Sequence, residues 1–161
     1  YGDSLVIQGA GGLGLNAAAI AREKGAEVIV IDAVKSRLTE ALRFGAHHVI
    51  DMNEYPTVAD RAAAVQRLTG GRGADYGMEV TGVLDAFPEA FQLIRPGGTM
   101  ISMGTVTPGK TVPFDPAYAL RRGIHTITAL RYNGPYLKKS MDFLADNRDK
   151  YPFDTLLDRD Y

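Results

Sequence analysis

The stretch VIQGAGGLGLNAAAIA, beginning at Val6, sets four glycines (Gly9, Gly11, Gly12 and Gly14) between a short apolar run and an alanine-rich segment. Gly9, Gly11 and Gly14 match the pattern G-x-G-x-x-G, in which each glycine has a separate physical task. Gly9 permits the tight turn that leaves a strand. Gly11 has no side chain, so a pyrophosphate can approach the backbone. Gly14 lets the following helix pack close to a sheet, as do the small residues Ala17, Ala18, Ala19 and Ala21. Gly12 and Leu13 lie in the same turn and count with it as candidate binding positions. The start of the helix offers unpaired N–H groups and the positive end of its dipole to phosphates.

A glycine triplet gains its meaning from context. The segment AEVIVID is a continuous β-branched run, the pattern of a strand buried on both faces, and it closes on Asp32. That acid falls about 20 residues beyond the central glycine, as the dinucleotide fingerprint requires. Further along, helical patterns over Lys35 to Phe44, from Thr57 and Asp60 to about Leu68, and over DAFPEAFQLI alternate with the apolar runs HHVID, YGMEV and TMISMG. Thr57 and Asp60 carry the spacing of a capping box. RPGG reads as a turn, and a loop rich in Thr, Pro and Gly spans Thr105 to Pro116. A short helix AYALRR, a sixth strand IHTITAL and a helix from Pro135 to Asn147 follow. Strands linked throughout by helices predict a doubly wound parallel sheet of the Rossmann kind, in the order 3-2-1-4-5-6, with helices on both faces. The 161 residues suit a single domain, and net charge −1 gives no bias towards nucleic acid or a membrane surface. No apolar run approaches the roughly 20 residues of a membrane span. No signal-peptide pattern opens the chain, so a cytoplasmic location is the expectation.

Asp32 is the expected coenzyme selector. Its carboxylate can accept hydrogen bonds from both hydroxyls of an adenosine ribose and would repel a 2′-phosphate, which favours NAD over NADP. Lys35 and Arg37 stand near enough in sequence to meet a phosphate. Arg37 is read instead as lying along the ribose.

GAGGLG, VIVID, ALRFGAHHVID, GADYGMEVTG and LIRPGGTMISMG occur in this order. Together they resemble the cofactor-binding domain of the zinc-type medium-chain dehydrogenases, the alcohol dehydrogenase group, over about residues 1 to 150. The resemblance implies that Val80 and Thr81 touch the coenzyme, that Met103 and Gly104 lie beside the nicotinamide, and that Leu130 and Arg131 close its far side. All three pairs follow strands, where open α/β sheets bind ligands. Residues 151–161, with FDTLLDRDY reading as the start of another strand, match the place where the family's chain returns to its catalytic domain.

That domain carries the family's zinc on Cys, His and acidic ligands, and this sequence does not contain it. The chain has no cysteine and three histidines. His47 and His48 are neighbours on an expected strand and point to opposite faces, and His125 has no acidic neighbour in sequence. No catalytic residue and no metal ligand is therefore assigned, and zinc is expected only in the absent domain. The expectation is an NAD-binding part of an oxidoreductase acting on an alcohol or carbonyl compound, inactive alone. The other reading is an NAD-sensing module of a regulatory protein. A methyltransferase fits Gly14 less well, and the zinc-free quinone reductases usually prefer NADP, which Asp32 disfavours. The apolar, β-branched sixth strand, last in the sheet, is expected to pair with a second copy.

Overall fold

A computed structural model describes residues 2–104 and 108–156. Six strands form one sheet: β1 (Ser4–Gln8), β2 (Glu27–Asp32), β3 (His48–Asp51), β4 (Ala74–Glu79), β5 (Ile94–Ser102) and β6 (His125–Thr128). Their order is β3-β2-β1-β4-β5-β6, and every adjacent pair is parallel. The expected doubly wound fold is therefore present. Among the described residues the six α-helices are α1 (Gly12–Glu23), α2 (Lys35–Arg43), α3 (Val58–Leu68), α4 (Ala86–Leu93), α5 (Pro116–Arg122) and α6 (Gly134–Asn147).

The two faces of the sheet separate by alternation along each strand. Leu5, Ile7, Val28 and Val30 pack with Leu15, Ala18 and Ala19 of α1 and Ala41 of α2. Val6, Ile29 and Ile31 turn the other way and pack with Ala64 and Val65 of α3 and Ala90, Phe91 and Leu93 of α4. The central strands are buried on both sides, which is why their sequences read as unbroken apolar runs. Thr57 and Asp60 form the capping box their spacing predicts, each side chain accepting from the other residue's backbone N–H.

Three features depart from the sequence reading. RPGG is not a turn before the strand but an irregularity within β5: Ala74 pairs with Ile94 and Tyr76 with Thr99, so Arg95–Gly98 loops out between the two pairings. Second, the sixth strand is shorter than IHTITAL, spanning His125–Thr128, and it is exposed along its length. Third, the expected strand at the chain's end is, over Phe153–Leu156, a 3₁₀ turn. Aromatic packing draws this segment onto the first core. Tyr151 is buried and stacks on Phe44 at 6.4 Å, while Phe153 meets Phe44 edge-on at 5.6 Å. The Tyr151 hydroxyl donates to Glu23 Oε1 at 2.8 Å. Burial, followed by the Glu23 carboxylate, pushes the Tyr151 phenol up to about 12. Residues 105–107 of the Thr/Pro/Gly loop and residues 157–161 lie outside the described residues. Among the described residues no helix is long and apolar enough to cross a membrane.

Candidate dinucleotide-binding cleft

The carboxyl ends of β1, β2, β4 and β5 meet at one edge of the sheet, and the glycine cluster crosses it. Gly9 has φ +104, in the region that favours glycine, and a Cβ there would lie 3.1 Å from Thr81 Cγ2. A Cβ at Gly14 would overlap the carbonyl oxygen of Gly9. Helix α1 can therefore start directly beneath the turn only because position 14 is bare. Gly11 and Gly12 differ: a Cβ at either would meet nothing within 4 Å. Their freedom from side chains leaves open space, not internal packing. Gly11 stands at the N-cap of α1, with no side-chain cap and no acidic residue in the first turn. Leu13 projects outward at 60% exposure.

Asp32 closes β2 beside this turn and is buried. Its Oδ2 accepts from the Ala10 N–H at 2.7 Å, and its Oδ1 accepts from the Val34 N–H at 2.8 Å. The carboxylate thus fixes the glycine turn against the end of β2. An ionised carboxylate offers about four acceptor directions, so two remain beyond these bonds. Lys35 and Arg37 are exposed on the first turn of α2.

The β4 end lies against the same turn. The Val80 N–H donates to Gln8 O at 3.1 Å, and Thr81 faces Gly9 as described. Met103 and Gly104 donate their N–H groups to the Glu79 carbonyl at 2.9 and 3.0 Å. The two pairs after β4 and β5 are therefore brought together. Leu130 and Arg131 follow β6, where the Ala129 N–H donates to Ser102 O at 3.0 Å; Leu130 is 87% exposed and Arg131 has φ 64.

Sequence reasoning missed Glu79. It is 3% exposed. Its Oε1 accepts from the Thr81 N–H at 2.8 Å, the Thr81 hydroxyl at 2.9 Å and the Gly82 N–H at 3.2 Å. Its Oε2 accepts from the Ser102 hydroxyl at 3.3 Å. A Cβ at Gly104 would run into this carboxylate. The available signal was a charged residue inside the apolar run YGMEV, since charges are rarely fully buried without partners.

The histidines have other work. His47 Nδ1 accepts from the Val28 N–H at 3.0 Å, with the Arg22 guanidinium against its Nε2. Burial, then the Arg22 charge, holds this imidazole below its ordinary value. His48 pairs with Glu27 at 3.2 Å. A concavity of about 340 Å³ beside them, lined by Tyr55 and Arg67 among others, contains none of the strand-end residues.

Open space before two glycines, an uncapped helix start and a carboxylate at the neighbouring strand end define a dinucleotide-binding Rossmann domain, and the residues fit such a ligand. Residues 12–146 match the zinc-binding dehydrogenase family, and the chain belongs to it. It is 37% identical over 131 residues to an alcohol dehydrogenase of Cupriavidus necator, covering 80% of this chain and 34% of that protein. It is 32% identical over 163 residues to the geraniol dehydrogenase of Castellaniella defragrans, covering 98% and 42%. An alcohol dehydrogenase structure from Thermotoga maritima superposes with a TM-score of 0.90 at 32% identity, over 98% of this chain and 43% of that one. The chain thus spans about two fifths or less of the length of these relatives, the part that forms the NAD(P)-binding domain. The zinc in the family's description finds no fit here: among the described residues no group of three or more His, Cys, Asp or Glu could hold a metal ion.

Proposed function

We propose that this chain is the NAD(H)-binding domain of an alcohol dehydrogenase-like oxidoreductase, and that it positions the nicotinamide for hydride transfer with an alcohol or carbonyl substrate. The observation that carries the reading is Asp32, buried at the end of β2 with both oxygens anchored by backbone N–H groups beside the glycine turn. A carboxylate held this rigidly suits the two hydroxyls of an adenosine ribose and resists a 2′-phosphate, so NAD is the favoured coenzyme. Gly9, Gly11, Gly12, Leu13 and Gly14 would carry the pyrophosphate, with Arg37 along the ribose. Val80, Thr81, Met103, Gly104, Leu130 and Arg131 would bound the nicotinamide half.

When bound, the coenzyme supplies the hydride chemistry, and the protein's part is binding and orientation. The substrate pocket and zinc belong to sequence outside this domain. Calorimetric titration of the purified chain with NAD and NADP tests the reading. NAD is expected to bind and NADP to bind more weakly, with no oxidation of simple alcohols. Equal affinity for the two coenzymes, or zinc-dependent turnover, would sink it.

Self-association through β6 is part of the proposal. The strand lies at the sheet's edge, exposed along its length with Ile127 51% exposed, and an open strand edge favours pairing with a second copy. Sedimentation at high micromolar concentration should show a dimer; monomer alone would count against it.

A further inference from the structure

We infer that Glu79 is an electrostatic positioning residue that biases the domain towards the oxidised coenzyme over the reduced one. The inference rests on the coenzyme reading above, which sets the nicotinamide against the strand ends 80–81 and 103–104.

Glu79 ties those two strand ends together. Its side chain holds Thr81, Gly82 and Ser102, and its carbonyl holds Met103 and Gly104. Both carboxylate oxygens act as acceptors, towards four donors in all. These donors are neutral amides and hydroxyls. Among the described residues no Lys, Arg or His makes an ion pair with it. Two other buried carboxylates are paired with cations, Glu89 with Arg61 at 2.6 Å and Asp75 with Arg95 at 2.6 Å, while Asp32 is held by backbone N–H groups. At Glu79 a negative charge is buried and solvated by dipoles alone, and its field is not cancelled by a neighbouring cation.

Such a field acts on whatever charge lies above the strand ends. The nicotinamide ring of NAD+ is positively charged and that of NADH is neutral. The rest of the two coenzymes is the same. A fixed negative charge beneath this part of the cleft therefore stabilises one redox form more than the other. A residue that only braced the loops would support both equally.

Glu79→Gln keeps the size of the side chain and removes its charge. Dissociation constants for NAD+ by calorimetry and for NADH by fluorescence, on the unmodified and variant chains, give the ratio directly. The variant should weaken NAD+ about three- to tenfold more than NADH. Equal changes for both coenzymes, or none, would overturn the inference alone. Binding of neither coenzyme by the unmodified chain would overturn it together with the coenzyme reading. Ser102→Ala provides the opposite test, because losing the hydroxyl leaves the carboxylate less neutralised. The ratio should then move about twofold towards NAD+. If Glu79→Gln does not fold, Ser102→Ala decides alone: a ratio unchanged or moved towards NADH overturns the inference.

Discussion

The Ala10 N–H donates to Asp32 Oδ2 at 2.7 Å, joining the glycine turn to the end of the second strand across 22 residues of sequence. The residue proposed to select the coenzyme therefore also builds the surface on which the coenzyme would lie. Replacing Asp32 with Ser should show both effects. Losing a hydrogen bond to a charged acceptor costs roughly 1.5–3 kcal/mol, and urea denaturation should register a loss in that range. NAD affinity should fall about ten- to a hundredfold, while NADP, no longer repelled and with Lys35 and Arg37 nearby, should gain. A variant of unchanged stability would mean that the Ala10 contact contributes little.

The glycines of the turn should separate into two kinds. Gly14→Ala places a methyl against the Gly9 carbonyl, and overpacking of this sort costs about 1–3 kcal/mol. Gly11→Ala meets nothing and sits at extended backbone angles, φ −78 and ψ −173, so its stability should change by less than about 1 kcal/mol. Its cost should appear as weaker coenzyme binding, since its methyl projects into the space proposed for the pyrophosphate. Thermal melts and titrations of the two variants should therefore give opposite patterns.

Asp75 should contribute to acid stability. Burial raises its carboxyl, but the bonds from Arg95 and from the Ser4 N–H and hydroxyl outweigh it and hold the group at about 2, against an ordinary 3.8. A folded value below the unfolded one gives stability that is fully present above about pH 4 and lost as pH falls towards 2. Arg95 is 34% exposed, so screening reduces the contribution to about 1–2 kcal/mol. Asp75→Asn should be less stable at pH 7, and the gap should narrow as the pH falls through this window. A constant gap would argue against the ionised pair.

The Arg61–Glu89 pair joins α3 to α4 through two bonds, at 2.6 and 2.8 Å, with both side chains buried. Glu89→Ala alone should cost about 3–5 kcal/mol, because it strands the guanidinium charge. Replacing both residues with apolar ones, Arg61→Met and Glu89→Leu, should recover much of that loss. A double variant no better than the single one would locate the stability in the Arg61 bonds to the Tyr55 and Pro56 carbonyls.

The order of strands and helices, the capping box at Thr57 and the separate tasks of Gly9 and Gly14 were legible in the sequence. Each depends on residues close together in the chain: an apolar period, a cap three residues from its partner, a turn that only glycine allows. Asp32 was legible for a related reason, since a βαβ unit has a nearly fixed length. The bond from Asp32 back to Ala10 was not, and neither was Glu79, whose partners at Thr81, Gly82 and Ser102 come from two strands. Parallel strands brought side by side by a crossover create such contacts, and no local pattern encodes them. The chain's end shows the same limit. FDTLLDRDY has the composition of a strand, but its described part is a 3₁₀ turn packed on the first core. Phe44 and Glu23 supply an aromatic surface and an acceptor for Tyr151 and Phe153. Local sequence determined which elements form and where the turn must bend. Tertiary packing decided which buried charges meet a cation and which, like Glu79, are left with dipoles alone.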